Sequence, residues 1–269
     1  MKYLTNIDKQ FQLCPTTTDK ILSLFNKLNK SKATGLDMIS ARLIPECADL
    51  ICIPICNIFN QSIGQGIFPN DWKCARVAPL FKAGDRNDVN NYRPISLISV
   101  VAKVFERIVC NQLYACLEEQ NIIRKCQSGF RSTHSTVTAL LEATDTWAYN
   151  IDRGKINAVV FLHLKKAFDA ADHKTLLSKL SHYGICGNAY NWFKFYLENR
   201  TQMCFINGSL SNNRSLTCGV PQGRFWGHCY FCYILMIFRI VYSIVNRRCM
   251  PTTPTLHTRV IVQTIFSDI

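Results

Sequence analysis

His163 closes an unbroken apolar run, Ala158 to Leu162, and is followed by Asp169 and Asp172. The run is rich in valine and too short for a free-standing helix, so it reads as a central strand. Such a strand delivers the side chain at its end to a site. A neutral imidazole can bind a transition metal but is a poor ligand for Mg²⁺, which takes hard oxygens. Asp169 and Asp172 fall in the turn and the helix beyond it. Upstream, Lys82 and Arg93 are cations of the kind that suit phosphate oxygens, the guanidinium fork binding two at once. A lone Lys or Arg is by default a solvated surface charge, so these two gain weight only from their company. Downstream, Pro221-Gln222-Gly223 would form a turn in which Gly223 allows close backbone approach.

These groups need elements to hold them. Ile21, Leu24, Phe25 and Leu28 recur at helical spacing after a Thr-Thr-Thr-Asp start that supplies an N-cap, giving an amphipathic helix that ends near Lys32. Gly35-Leu36-Asp37 makes a turn, and a mixed helical region runs through Phe59. Val100, Val101, Val104, Phe105, Ile108 and Val109 predict another helix, Thr136 to Tyr149 a further one, and Leu176, Leu177 and Leu180 one more with Gly184 as its C-cap. Met203 to Ile206 and Leu216 to Val220 read as two strands, joined by a connection longer than a tight two-residue hairpin. Helices mixed with short strands predict an α+β fold.

The formal net charge is +13, which points to a polyanionic partner such as nucleic acid or an anionic membrane surface. Fourteen cysteines lie scattered through apolar stretches, and Met1-Lys2-Tyr3-Leu4-Thr5-Asn6 is too polar for a signal peptide. An intracellular, reducing location is therefore expected, with most cysteines acting as small buried hydrophobes. The apolar run Tyr230 to Val245 is short for a bilayer and broken by Arg239, so no membrane association is expected. His228-Cys229-x-x-Cys232 resembles half of a zinc site without a second half.

Five segments occur in an order that resembles the reverse transcriptases of non-LTR, LINE-type retrotransposons. They are Pro79-Leu80-Phe81-Lys82-Ala83-Gly84-Asp85, Asn91-Tyr92-Arg93-Pro94-Ile95-Ser96-Leu97, Gln127-Ser128-Gly129-Phe130-Arg131, Phe161 to Asp169, and Gly219-Val220-Pro221-Gln222-Gly223. The resemblance implies a right-hand polymerase fold with fingers and a partial palm, the thumb being absent. It puts Arg93 near the nucleoside triphosphate, Lys82 more loosely beside it, and Arg131 on the template backbone. It also puts Phe168 beneath the nucleotide sugar, where bulk excludes a 2′-hydroxyl, and Gln222 beside the incoming nucleotide. Two divalent metals serve the family's reaction, held by an acid in the first motif and by the adjacent pair of a Tyr-Ala-Asp-Asp motif. His163 stands where the first acid belongs, a change that one base, GAT to CAT, would produce. No Tyr-Ala-Asp-Asp occurs anywhere, and Phe266-Ser267-Asp268-Ile269 imitates it with a single acid.

The tail offers a reason for that loss. In the family Gly-Val-Pro-Gln-Gly is commonly followed by Ser-Ile-Leu-Gly-Pro-Leu-Leu-Phe-Leu-Leu-Tyr-Ile-Asn-Asp-Leu. Codons for that sequence, read one base later, spell Arg224 through Phe238 without a mismatch. The same shift applied to Met-Tyr-Ala-Asp-Asp-Thr-His-Leu-Thr spells Cys249 to His257, with Thr252 and Thr253 in place of the acid pair. Residues 1–60 are thus expected to form a helical region preceding the fingers, 61–223 the fingers and partial palm, and 224–269 an out-of-frame, unpatterned tail. The tail holds five of the 31 Lys and Arg and one of the 18 Asp and Glu, so residues 1–223 keep 26 − 17 = +9. By the same resemblance the partners are an RNA template, a DNA primer and, in an active ancestor, a deoxynucleoside triphosphate. Mg²⁺ is the ancestral cofactor, and no metal is expected to bind productively to this chain. The rival expectation is a relic that binds nucleic acid without catalysis.

Overall fold

The computed structural model describes residues 10–123, 128–129, 131, 134–161, 169, 171–220 and 259–263, with only the backbone of 158, 160, 161 and 259–263. The chain forms two compact units, Met1–Gln120 with Phe168–Gly227, and Asn121–Ala167 with His228–Ile269.

The first unit opens with α1 (Thr18–Asn26), whose Thr17 hydroxyl caps the helix by accepting from the Lys20 N–H. α2 (Leu43–Glu46) and α3 (Ala48–Gln65) follow. Strands β1 (Cys74–Phe81) and β2 (Tyr92–Leu97) then pair antiparallel. After them come α4 (Val100–Glu119), α6 (His173–His182), α7 (Gly187–Leu197) and β4 (Thr201–Ile206). β4 lies parallel to β1, so β1 has one antiparallel and one parallel neighbour and the sheet is mixed. Short strands β5 (Ser209–Leu210) and β6 (Arg214–Ser215) pair with the two ends of β4.

Aromatic rings fill the core of this unit. Phe105 of α4 stacks on Phe59 of α3 with centroids 4.3 Å apart, and edges of Trp72 and Trp192 meet it at 6.1 and 5.3 Å. The Trp192 indole N–H donates to the Ser62 hydroxyl at 3.0 Å, which satisfies this buried donor.

The second unit contains α5 (Thr136–Asp152), β3 (Asn157–Phe161) and β7 (Arg259–Gln263). A capping box between Ser135 and Thr138 starts α5. Polar side chains tie α5 to β3: buried Asn150 donates to Asn157 Oδ1 at 2.7 Å, and Asn157 donates to the Trp147 carbonyl at 2.9 Å.

Several expectations meet a different outcome. Leu216 to Val220 is not a strand, because Gly219 sits at φ +82 in its middle and breaks the extension. The connection after β4 is a tight two-residue turn, with Asn207 and Gly208 at φ 49 and 83, as a primed hairpin turn requires. Gly184 lies one residue beyond the C-cap Tyr183, where the Ile185 N–H donates back to the Leu180 carbonyl in a Schellman arrangement. Cys52, Cys56 and Cys110 are buried, but Cys14 and Cys218 are exposed and others half-buried. The tail expected to be unpatterned supplies β7, whose Val-Ile-Val centre pairs parallel with Ala158 to Val160.

Candidate functional site

The β1–β2 hairpin carries the first cluster of expected site residues. Its register sets Leu80 opposite Arg93 and Phe81 opposite Tyr92. Alternation along the strands puts Arg76, Ala78 and Leu80 on one face together with Arg93. The Arg76 guanidinium lies 3.6 Å from the Phe205 ring centroid, so it stacks against β4 on that sheet.

Beyond β1 the Lys82 N–H donates to the Asn91 carbonyl at 2.8 Å, carrying the ladder one step into the loop. The loop is stitched by its own side chains. Asp85 accepts from the Asn87 N–H and Asp88 from the Asn90 N–H, both at 2.9 Å, while Asn91 Nδ2 donates to the Asp85 carbonyl at 2.8 Å. The Tyr92 hydroxyl donates to the Arg86 carbonyl at 2.9 Å, and the Arg86 guanidinium lies 4.9 Å from the Phe81 centroid. Lys82 is exposed and Arg93 half-buried, both held on a locally fixed scaffold.

The second cluster surrounds Gly219. Its N–H donates to the Ala171 carbonyl at 2.8 Å, and its carbonyl lies 2.7 Å from His173 Nε2. A Cβ at this position would come within 2.8 Å of the Asp169 carbonyl oxygen, and φ is +82, so space and conformation both demand glycine. The turn after the first motif is fixed in the same place. Asp172 caps α6 by accepting from the Thr175 N–H at 2.7 Å and its hydroxyl at 2.6 Å, contacts that lower the carboxyl pKa.

Arg200, 1% exposed, braces the strand leading to this turn. Its Nη1 donates to the Tyr196 carbonyl at 3.1 Å, its guanidinium covers the Tyr196 ring at 4.6 Å, and its own carbonyl accepts from the Leu216 N–H at 2.8 Å. The Tyr196 hydroxyl donates to buried Glu106 at 2.9 Å, and burial first, then the Glu106 charge, pushes its pKa well above the usual tyrosine value. Lys73 is buried as well, and burial followed by the Arg200 charge lowers its pKa.

Lys82 and Arg93 are therefore brought onto one hairpin, whereas Arg131 belongs to the second unit. His163, Phe168, Gln222, Thr252 and Thr253 lie outside the described residues. Among the described residues no group of three or more His, Cys, Asp or Glu is placed to hold a metal ion, and no helix is long and apolar enough to cross a membrane. Sequence reasoning passed over His173 and Arg200. His173 had a signal, since it follows Asp172 directly, just beyond a first motif already in view, while Arg200 carried none that distinguishes it from a surface arginine.

The family model described as "Reverse transcriptase (RNA-dependent DNA polymerase)" matches residues 82–237, more than half of the chain. The chain belongs to the reverse transcriptase family. It is 32% identical over 216 residues to the RNA-directed DNA polymerase from mobile element jockey of Drosophila melanogaster, covering 80% of this chain and 24% of that protein. It is 29% identical over 230 residues to the probable RNA-directed DNA polymerase from transposon BS, covering 83% and 25%, and 27% identical over 221 residues to that from transposon X-element, covering 82% and 24%, both from the same fly. The chain thus spans about a quarter of the length of the curated relatives it matches. These relatives make it a reverse-transcriptase domain of the non-LTR retrotransposon kind, and the mixed sheet and packed helices are compatible with a fingers and palm fragment. Reverse transcriptases generally use Mg²⁺ and act on a template, a primer and a deoxynucleoside triphosphate.

Proposed function

We propose that this chain is the fingers and partial palm of a non-LTR reverse transcriptase and that, as translated, it does not polymerise. The observation that carries this reading is His163 at the position of the first metal-binding acid, together with the lack of a Tyr-Ala-Asp-Asp motif and of any adjacent acid pair after Gly223 in the sequence. The donor set does not fit Mg²⁺, because an imidazole replaces a hard carboxylate oxygen and Thr252 and Thr253 replace two more. In this reading Arg93 and Lys82 face the triphosphate from the hairpin, Arg131 holds the template backbone, and Phe168 and Gln222 flank the nucleotide.

The acid pair is proposed to be encoded one base out of phase after Gly223. The family match runs on to residue 237, which is 237 − 223 = 14 residues past the last intact motif. Both phases of that stretch are rich in apolar residues, so apolar similarity persists across the shift.

Primer extension with Mg²⁺ tests the catalytic part: no template-dependent incorporation is expected, and none after His163→Asp alone. Clear incorporation by the unaltered chain overturns it. The nucleotide sequence around the codon for Gly223 tests the frame, which fails if no forward frame beyond it encodes adjacent acids at palm distance.

The charge of +9 on residues 1–223 favours a second reading, a fragment that binds nucleic acid without chemistry. Filter binding against salt checks it, since phosphate contacts must give affinity that falls as salt rises.

A further inference from the structure

Two segments 46 residues apart meet at Gly219, and one side chain makes the junction. His173 is the first residue of α6, and its neighbour Asp172 fixes that first turn through the Thr175 amide and hydroxyl. With the helix start held, His173 Nε2 reaches the Gly219 carbonyl at 2.7 Å while the Ala171 carbonyl accepts the Gly219 N–H at 2.8 Å. Both polar groups of the Gly219 peptide positions are thereby engaged by the segment that follows the first motif. A carbonyl oxygen only accepts, so Nε2 must carry the proton; the other neutral tautomer would set two lone pairs against each other.

We propose that His173 is a positioning residue that clasps the Gly219–Val220 turn to the Asp169–Asp172 turn. Its Nε2–H donates to the Gly219 carbonyl, the Ala171 carbonyl takes the Gly219 N–H, and the missing side chain at 219 lets Asp169 close against the backbone. The clasped residues immediately precede the Pro221-Gln222-Gly223 turn in the sequence. The clasp's importance for nucleotide placement rests on the function proposed above for that turn.

Amide exchange at Gly219, read by NMR on the full chain, tests the clasp. The side-chain amide of glutamine reaches about as far as Nε2 of histidine, whereas that of asparagine reaches only as far as Nδ1. His173→Ala and His173→Asn are therefore expected to speed exchange at Gly219 by about fivefold to tenfold, the effect of losing one hydrogen bond, and His173→Gln to keep the wild-type rate. The Leu216 amide, held by the Arg200 carbonyl, reports general loosening and should keep its rate throughout. Should His173→Ala unfold the unit, the glutamine and wild-type chains still decide the matter. Equal rates in the wild-type and alanine chains, a fast rate in the glutamine chain, or a histidine ¹⁵N spectrum with the proton on Nδ1 would each overturn the proposal. The measurement needs no nucleotide, so failure to bind one with the clasp intact would count against the proposed function alone.

Discussion

α4 and α5 carry the same kind of amphipathic pattern, yet α4 buries eleven of its 20 residues and α5 only two of its 17. In α4 the apolar stripe meets α3, α7 and the Trp72 segment, and Phe105 reaches four other rings. In α5 Val137, Leu140, Leu141 and Ile151 are 47 to 65% exposed. Its order comes from its ends, from the capping box at Ser135 and the Asn150–Asn157 bond to β3. A periodic pattern thus specifies a helix, but a partner surface decides whether that helix stabilises anything.

The largest effect is expected from Phe105→Ala, which removes the hub of the aromatic core. A loss of about 3–5 kcal/mol is expected, read as a lowered urea midpoint by tryptophan fluorescence. A loss below about 1 kcal/mol would mean that the α4 interface is not packed in solution.

Next comes Tyr196, whose hydroxyl donates to Glu106 on α4. Its folded pKa is raised, so above about pH 10 the unfolded chain has released a proton that the folded chain retains. That contribution is complete below pH 10 and is lost as pH climbs through the folded value. Stability followed by denaturant melts should fall in this alkaline range, and Tyr196→Phe should remove this part of the fall while lowering stability at neutral pH.

On α5 the expected order of importance is inverted. Ser135→Ala, which removes the cap, should cost about 1 kcal/mol of the second unit's stability, visible as faster amide exchange in the first turn of α5. Leu141→Ala, at 56% exposure, should change stability by less than about 0.5 kcal/mol. A Leu141 cost rivalling that of Phe105 would show that a partner covers α5 in solution and would dissolve the contrast.

The same contrast accounts for what could be read from sequence. α1, α5 and α6 were legible because caps and periodicity agree there, α4 from its apolar periodicity and β3 from its valine-rich run. α7 was not, since it starts at Gly187 with φ +56 and is built from Asn, Trp, Phe and Tyr, weak helix formers held in place by burial of Trp192, Phe193 and Tyr196. The β1–β2 hairpin carried recognisable motif residues, but Pro79 and Pro94 hid its strand pattern; the structure sets them opposite each other. The parallel pairing of β1 with β4 joins segments more than a hundred residues apart, and no local pattern encodes such a partner. Within the candidate site, residue types announced Lys82 and Arg93. The role of His173 emerged only when Gly219 was folded against it.

The parallel ladder of β3 and β7 also has a history in time. Its first pair joins Asn157 to Arg259, a separation of 259 − 157 = 102 residues. At roughly 5–20 residues per second of synthesis, β3 leaves the ribosome about 5–20 seconds before its neighbour exists. During that interval the edge that β7 will occupy is open to other strands, including those of nascent chains on the same message. The rate of translation through residues 162–258 thereby sets how long this edge stays vulnerable to aggregation, and slower elongation should lower the yield of folded protein.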